Sequence, residues 1–457
     1  MAFIAPLRGV HFNSQKVGRL DEVVTPPYDV INTNVVDSYL KKNSYNMIRL
    51  DITKNHGPGD ERDERYRDAA DLFRQWLDEK ALVRDPEPGI YIYHTEYSHP
   101  SGKRLTRKGF VCLVGLAEFA EGVVKPHEQT FDTVIADRLR LTIACKAQFS
   151  QIFSLYSDPD GGIMTLLEQQ ERKAIGSVND GDGCVHSLWQ VVNPEVIKNV
   201  QRQFLDKSLY IADGHHRYTT ALAYRKMALE AAGGLPANSP ANHIIMYLCP
   251  MEDPGLSVLP THRLVRWPGK MAVAEMLSRL DHYFHCEEIS GPHYEGLVKK
   301  VLARMDELEK LSPEKSSSSF GVFHPIEDRC FLLSLKQEAK DVLAERPYPL
   351  RGLDVVVLSD IIMDKALGLD HHRCEQESLV SYSSSAEEAL DMAIKEGAGN
   401  EKFTPLLFVM NPTRVEQVRD VADHNLIMPH KSTYFYPKIM TGLLFNQLVE
   451  GEEIDRL

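Results

Sequence analysis

The densest chemistry in this sequence is the run Asp213-Gly214-His215-His216-Arg217. It follows the apolar residues Leu209-Tyr210-Ile211-Ala212 and opens a helical pattern extending to residue 232. A strand that turns into a helix at Gly214 lets a ligand approach backbone without a Cβ in the way. The helix N-terminus supplies N–H groups and the positive end of the dipole, which suits phosphate. His215, His216 and Arg217 add donors and charge. Asp213 has the oxygen chemistry to hold Mg²⁺. An Asp cap on a solvated first turn uses the same residues, but Asp-Gly-His-His-Arg at one strand–helix junction is far less common than Asp-Gly. The second run is Lys125-Pro126-His127-Glu128-Gln129-Thr130. Its carboxylate beside an imidazole is the composition of a general base. Taken alone, His127-Glu128 reads as a surface loop; its meaning comes from combination with residues 213–217.

Other groups are weaker. Pro26-Pro27-Tyr28-Asp29 forms a rigid turn presenting a phenol and a carboxylate, and Tyr28 and Asp29 are candidates to line a site. Thr261, His262 and Arg263 follow apolar Val258 and Leu259 and donate well to phosphate or carboxylate. Lys431, Ser432 and Thr433 precede Tyr434-Phe435-Tyr436-Pro437-Lys438. They either line a site or flank an aromatic strand whose lysines reach for water. Arg138 and Arg140 follow Glu128 on a helix, with one expected to face solvent. His371-His372 beside Glu375 and Glu377 reads as helix surface rather than a metal site. A Walker A loop, a GxGxxG after a strand and an HExxH are all missing from the sequence, which excludes P-loop, Rossmann and zincin readings.

Alternating strands and helices must position these groups. Helical spacing is expected over 60–80, 134–151, 194–205 and 218–232. Strands are expected over 90–97, 110–119, 152–156, 185–192, 209–212 and 243–248. Solvated loops are expected at 232–240 and at the serine-rich stretch 312–319, and Ser381 to Ser385 is placed to cap a helix. The pattern predicts an α+β, or mixed α/β, fold.

With 457 residues the chain is long enough for two or three domains, and 43% apolar with 26% charged residues is a globular balance. The expected divisions are 1–109, 110–250 and 251–457. No apolar run approaches a membrane span, and the first ten residues lack a secretory apolar stretch. A net charge of −13 argues against a nucleic-acid binder, which needs a basic face. Seven widely spaced cysteines without a CxxC predict reduced, mostly buried thiols in a cytoplasmic protein.

His127-Glu128, a following helix, then a strand and Asp213 to Arg217 opening another helix resemble the ParB/sulfiredoxin superfamily of nucleotide-binding domains, and best its free serine kinases. The resemblance implies a ParB-like core over 110–250 with N- and C-terminal elaborations. It implies Glu128 as base on a serine hydroxyl, with His127 beside it. Asp213 would hold the metal, and Gly214, His215, His216 and Arg217 the nucleotide phosphates; Thr261, His262 and Arg263 are expected as further phosphate donors from their residue types alone. Glu128 and Asp213 lie 85 residues apart, beyond the compact ParB-like arrangement, and 158–162 and 179–183 read as loop insertions. The ordered motifs Thr25 to Val30, Lys125 to Thr130, Tyr210 to Tyr218, Leu259 to Arg263 and Met428 to Lys438 also resemble the family called domain of unknown function 1015, which has no settled activity.

The function implied is a Mg²⁺-dependent kinase moving phosphate from ATP or ADP to a small hydroxyl substrate, with free L-serine the leading candidate. The alternatives are a nucleotide-binding switch that recruits a partner without phosphotransfer, and a phosphatase or nuclease using the same site.

Overall fold

The computed structural model describes residues 1–51, 64–291, 294–311 and 318–455. Residues 60–63 of the expected helix 60–80 and residues 312–317 of the serine-rich loop lie outside the described residues. The chain divides into two units, Met1–Ser257 with Pro437–Leu457, and Val258–Tyr436.

The first unit is built on a nine-stranded mixed sheet. Its strands are β1 (Ile4–Ala5), β2 (Ile90–Ser98), β3 (Arg104–Gly115), β4 (Val124–Lys125), β5 (Ile152–Tyr156), β6 (Lys173–Asn179), β7 (Val185–Val191), β8 (Leu209–Asp213) and β9 (His243–Pro250). They are ordered β4-β8-β5-β9-β3-β2-β7-β6, and β1 pairs with the far end of β3. All eight residues of β9 are buried, as expected of a central strand covered on both faces. Its helices include α1 (Glu64–Asp78), α2 (Asp132–Cys145), α3 (Gly162–Glu168), α4 (Pro194–Phe204) and α5 (His215–Ala232). In α4, Asn193 caps the first turn and Pro194 occupies its first position, where a missing N–H costs nothing. Ile163, Leu167, Val200, Phe204 and Tyr218 from α3, α4 and α5 share one core with Ile92, Phe110 and Cys112 of the sheet.

The mixed α+β architecture is as expected, with differences in detail. The expected boundary at 109/110 falls inside β3, because residues 104–115 form one strand pairing with both β2 and β9. Residues 1–109 and 110–250 therefore share one sheet, and the chain's last residues, Pro437–Leu457, return to the same unit. Helix α2 stops at Cys145 rather than continuing to 151, because Lys146 is left-handed at φ 49°. Residues 179–183 lie at the turn of the β6–β7 hairpin, within the sheet.

The second unit holds a six-stranded antiparallel sheet of β10 (His262–Pro268), β11 (Phe284–Glu288), β12 (Ser319–His324), β13 (Arg329–Leu335), β14 (Val380–Ser383) and β15 (Phe403–Val409). The order is β11-β13-β12-β15-β10-β14. Helices α6 (Tyr294–Leu311) and α7 (Ala386–Gly397) bury Val298, Val301, Ala389 and Ala393 against Phe323 and Leu407. Ser385 caps α7, accepting from the Glu388 N–H at 3.2 Å.

Among the described residues, no helix is long and apolar enough to cross a membrane. All seven cysteines are free thiols, five of them buried.

Candidate functional site

The site begins with a register. Strands β4 and β8 run parallel, pairing Val124 with Leu209 and Lys125 with Tyr210. Parallel chains advance together, so three residues further on Glu128 reaches the level of Asp213. The Glu128 Oε2 atom lies 3.6 Å from His215 Nδ1. The backbone N–H of His127 donates to His215 Nε2 at 3.2 Å. Because Nε2 accepts, a neutral His215 carries its proton on Nδ1, the atom facing Glu128. Burial drives His215 well below the ordinary imidazole range, and His127 reinforces this. Burial likewise lowers His127 to about 4, against the opposing pull of the Ile211 backbone and Asp213. The two rings meet edge to face at 4.7 Å.

His216 makes a second clamp. Its Nε2 accepts from the Phe131 N–H at 3.1 Å, and its ring stacks on that of Phe131 at 5.7 Å. The segment 127–131 is thereby fixed at two points to the first turn of α5, and both histidines act on its backbone.

Gly214 is left-handed at φ 99°, and a Cβ there would fall 2.9 Å from Arg217 Nε. The glycine is required by its own conformation and by the close return of Arg217. That guanidinium pairs with one Asp213 oxygen and donates to the Gln151 carbonyl at 2.5 Å. The Lys438 ammonium pairs with the other Asp213 oxygen. Burial alone would raise the Asp213 carboxyl; Lys438 and Arg217 outweigh it and hold the group well below the usual carboxylate range.

This arrangement bears on Mg²⁺. Both Asp213 oxygens are engaged by cations of the chain, and no metal-holding group of three or more His, Cys, Asp or Glu occurs among the described residues. As arranged, Asp213 does not fit the expected role of metal ligand. It instead orders Arg217 and Lys438.

Beside Arg217 lies a partly open cleft, lined also by Arg138, Tyr28, Asp51, Leu141 and Tyr224. Arg138 pairs with Asp51 at 2.6 Å and Asp137 at 2.5 Å, and its guanidinium covers the Tyr28 ring at 4.4 Å. Burial raises the Asp51 carboxyl against the lowering by Arg138 and Arg217, and its Oδ2 has no hydrogen-bond partner. Burial pushes the Tyr28 phenol to about 12, so it stays protonated. Asp29 is exposed on the same turn, and Arg140 is exposed on α2.

The structure thus brings together His127, Glu128, Asp213, Gly214, His215, His216 and Arg217, with Tyr28 across the cleft. Thr261, His262, Arg263, Lys431, Ser432 and Thr433 belong to the second unit. There Thr261 Oγ1 and Arg263 Nη2 each donate to the Lys431 carbonyl at 3.0 Å, and His262 Nδ1 accepts from the Met410 N–H at 3.1 Å. The Ser432 hydroxyl donates to the Pro429 carbonyl at 2.5 Å, and the Ser432 carbonyl accepts from Thr413. His371 makes a surface pair with Glu375 at 3.2 Å.

Sequence reasoning missed Asp51, Gln151 and the role of Lys438. Lys438 stood in a quoted motif but is 225 residues from the carboxylate it meets. Asp51 and Gln151 carry no local signal at all.

The family model described as Protein of unknown function (DUF1015) matches residues 4–356. No curated protein matches the chain. Solved structures similar to it include a free serine kinase variant in complex with AMP, at 12% identity over 72% of this chain and 91% of that one, with TM-score 0.32. A conserved hypothetical protein from Pyrococcus furiosus is similar at 14% identity over 72% of this chain and 94% of that one, with TM-score 0.30. SbnI from Staphylococcus aureus with a C-terminal truncation is similar at 10% identity over 75% and 90%, with TM-score 0.32.

Proposed function

The chain belongs to the DUF1015 family, and we propose that its first unit is a small-molecule kinase. In this reading ATP or ADP lies along the cleft, its phosphates toward Arg217 and the N-terminus of α5, its base against the apolar wall that includes Leu141. Two guanidiniums, Arg138 and Arg217, face the cleft beside the Asp51 carboxylate, and Leu116, Leu141, Phe149 and Ile244 give it an apolar wall. That combination suits a nucleotide, which is charged at one end and flat at the other. The acceptor is a small hydroxyl compound, with free L-serine the leading candidate.

One observation carries the proposal: Glu128 is held 3.6 Å from a neutral His215 at the junction that also forms the Gly214 turn. The neutral imidazole turns its Nδ1 edge toward the carboxylate at 3.6 Å, a polar contact that orients Glu128 without protonating it. The acceptor hydroxyl gives its proton to Glu128 as its oxygen bonds to phosphorus, and the phosphoanhydride bond breaks with its electrons leaving on the nucleotide. Phosphoryl transfer asks mainly for such positioning and for charge stabilisation. Magnesium enters this reading only as the counter-ion of the nucleotide phosphates.

The locked Asp213 favours a second reading, a nucleotide-binding switch without transfer. The experiment that separates the two mixes purified protein with Mg²⁺, ATP or ADP, and a panel of hydroxyl amino acids, and follows phosphorylated product by ³¹P NMR. A phosphomonoester formed from L-serine supports the kinase. Nucleotide binding without any product supports the switch, and no binding of either nucleotide overturns both.

A further inference from the structure

The second unit contains a partly open cavity that the kinase reading does not use. Arg263 lines it and is only 5% exposed. Its guanidinium donates to the carbonyls of Thr261 and Lys431 and to Met410 Sδ. Among the described residues no carboxylate pairs with it. Burial, opposed only by the neighbouring Tyr382, brings Arg263 down to about 10, as a buried cation without an anion must be. Three of its five N–H donors are used in the contacts above, which leaves the Nε–H and one Nη2–H for a ligand.

The rest of the cavity shows what that ligand looks like. Leu358, Met363 and Val380 form apolar walls, and Tyr382 packs its ring 5.5 Å from the guanidinium carbon. Leu358 and Met363 belong to Val357–Ala366, which is wound as a π-helix, a rare geometry often found at functional sites. A planar guanidinium beside the apolar wall of Leu358, Met363 and Val380 matches one carboxylate with an apolar body, and Ser359, His371 and His430 complete the lining with polar groups.

We propose that this cavity binds a small monocarboxylate, its carboxylate on Arg263 and its apolar part along Leu358, Met363 and Val380. The site is separate from the nucleotide cleft in both residues and ligand class, so it stands or falls independently of the kinase reading.

The test uses the full chain and ¹⁹F NMR, with 4-(trifluoromethyl)phenylacetate as probe and its primary amide as the neutral control. Saturable binding of the acid, at least about tenfold tighter than the amide, is expected from the loss of a charge-assisted pair. Ser359→Phe narrows the cavity from a partly exposed wall without touching Arg263 and should abolish the signal. Arg263→Gln should bring acid and amide to equal affinity. Equal binding of acid and amide by the unaltered protein, or no saturable binding of the acid, overturns the proposal. That contrast needs no variant, so it decides even where Arg263→Gln does not fold.

Discussion

Asp213 in the first unit and Arg263 in the second are both buried charges, and they are treated in opposite ways. Asp213 has a cation on each oxygen, Lys438 on one and Arg217 on the other. Arg263 has neutral carbonyls, a thioether and an aromatic ring. A charge compensated inside the fold is part of the scaffold: it fixes the side chains around it before any ligand arrives. A charge left uncompensated beside a cavity is a receptor, because the missing counter-charge can come from outside. Thr-His-Arg and Asp-Gly-His-His-Arg look alike as anion motifs, but only the first leaves its arginine without a counter-charge from the chain.

The largest effect is expected from removing one cation from Asp213. Arg217→Met strips a buried carboxylate of one of its two partners and should cost about 3–5 kcal/mol of stability, measured by urea unfolding. A loss below about 1 kcal/mol would mean that the triad is not a structural unit.

Next comes pH. The unfolded chain takes up a proton on His127 near 6.5 and the folded chain only near 4. Between those values the unfolded state binds more protons, so the contribution is complete above pH 6.5 and lost as pH falls to 4. For His127 this amounts to about 3 kcal/mol, and His215 changes in the same direction. Chemical unfolding at pH 7 and pH 4.5 should show the fall, and His127→Gln should flatten it.

Gly214→Ala tests the turn itself. Its positive φ and the Arg217 side chain both oppose a Cβ, so a loss of about 1–3 kcal/mol is expected, together with weaker nucleotide binding in calorimetry. The smallest effect should be Arg263→Met. Removing an uncompensated buried charge relieves desolvation while two carbonyls lose a donor, and stability should stay within about 1 kcal/mol of the unaltered protein. A large loss there would return Arg263 to the scaffold and undo the contrast with Asp213.

What the sequence made legible follows from range. The strand–turn–helix at Asp213 is local: an apolar run, a glycine and a helical period lie within one stretch, and the structure forms β8 and α5 there. The end of α2 was misjudged because apolar Ala147 continues the helical spacing although Lys146 turns left-handed. The division at 109/110 has no local counterpart, because β3 runs through it and pairs with strands from different parts of the chain on both sides. Lys438 and Asp51 complete the site only through tertiary contacts, with no spacing rule to announce them. Thr261 to Arg263 read as an anion motif by residue type, and nothing in the sequence said which unit would own it.

The central claim is that Glu128 is a base positioned by His215 at a phosphate-binding turn, and the most direct measurement is turnover and nucleotide affinity in parallel for Glu128→Gln. The glutamine keeps the shape and removes the base. The account predicts that phosphorylated product forms about 10²–10⁴ times more slowly, while affinity for ATP or ADP by calorimetry is nearly unchanged, because Arg217, Lys438 and the Gly214 turn are intact. Asp213→Asn should instead weaken nucleotide binding and turnover together, since it releases both cations. Full activity in Glu128→Gln, or equal loss of nucleotide affinity in the two variants, would contradict the assignment of Glu128 as the base.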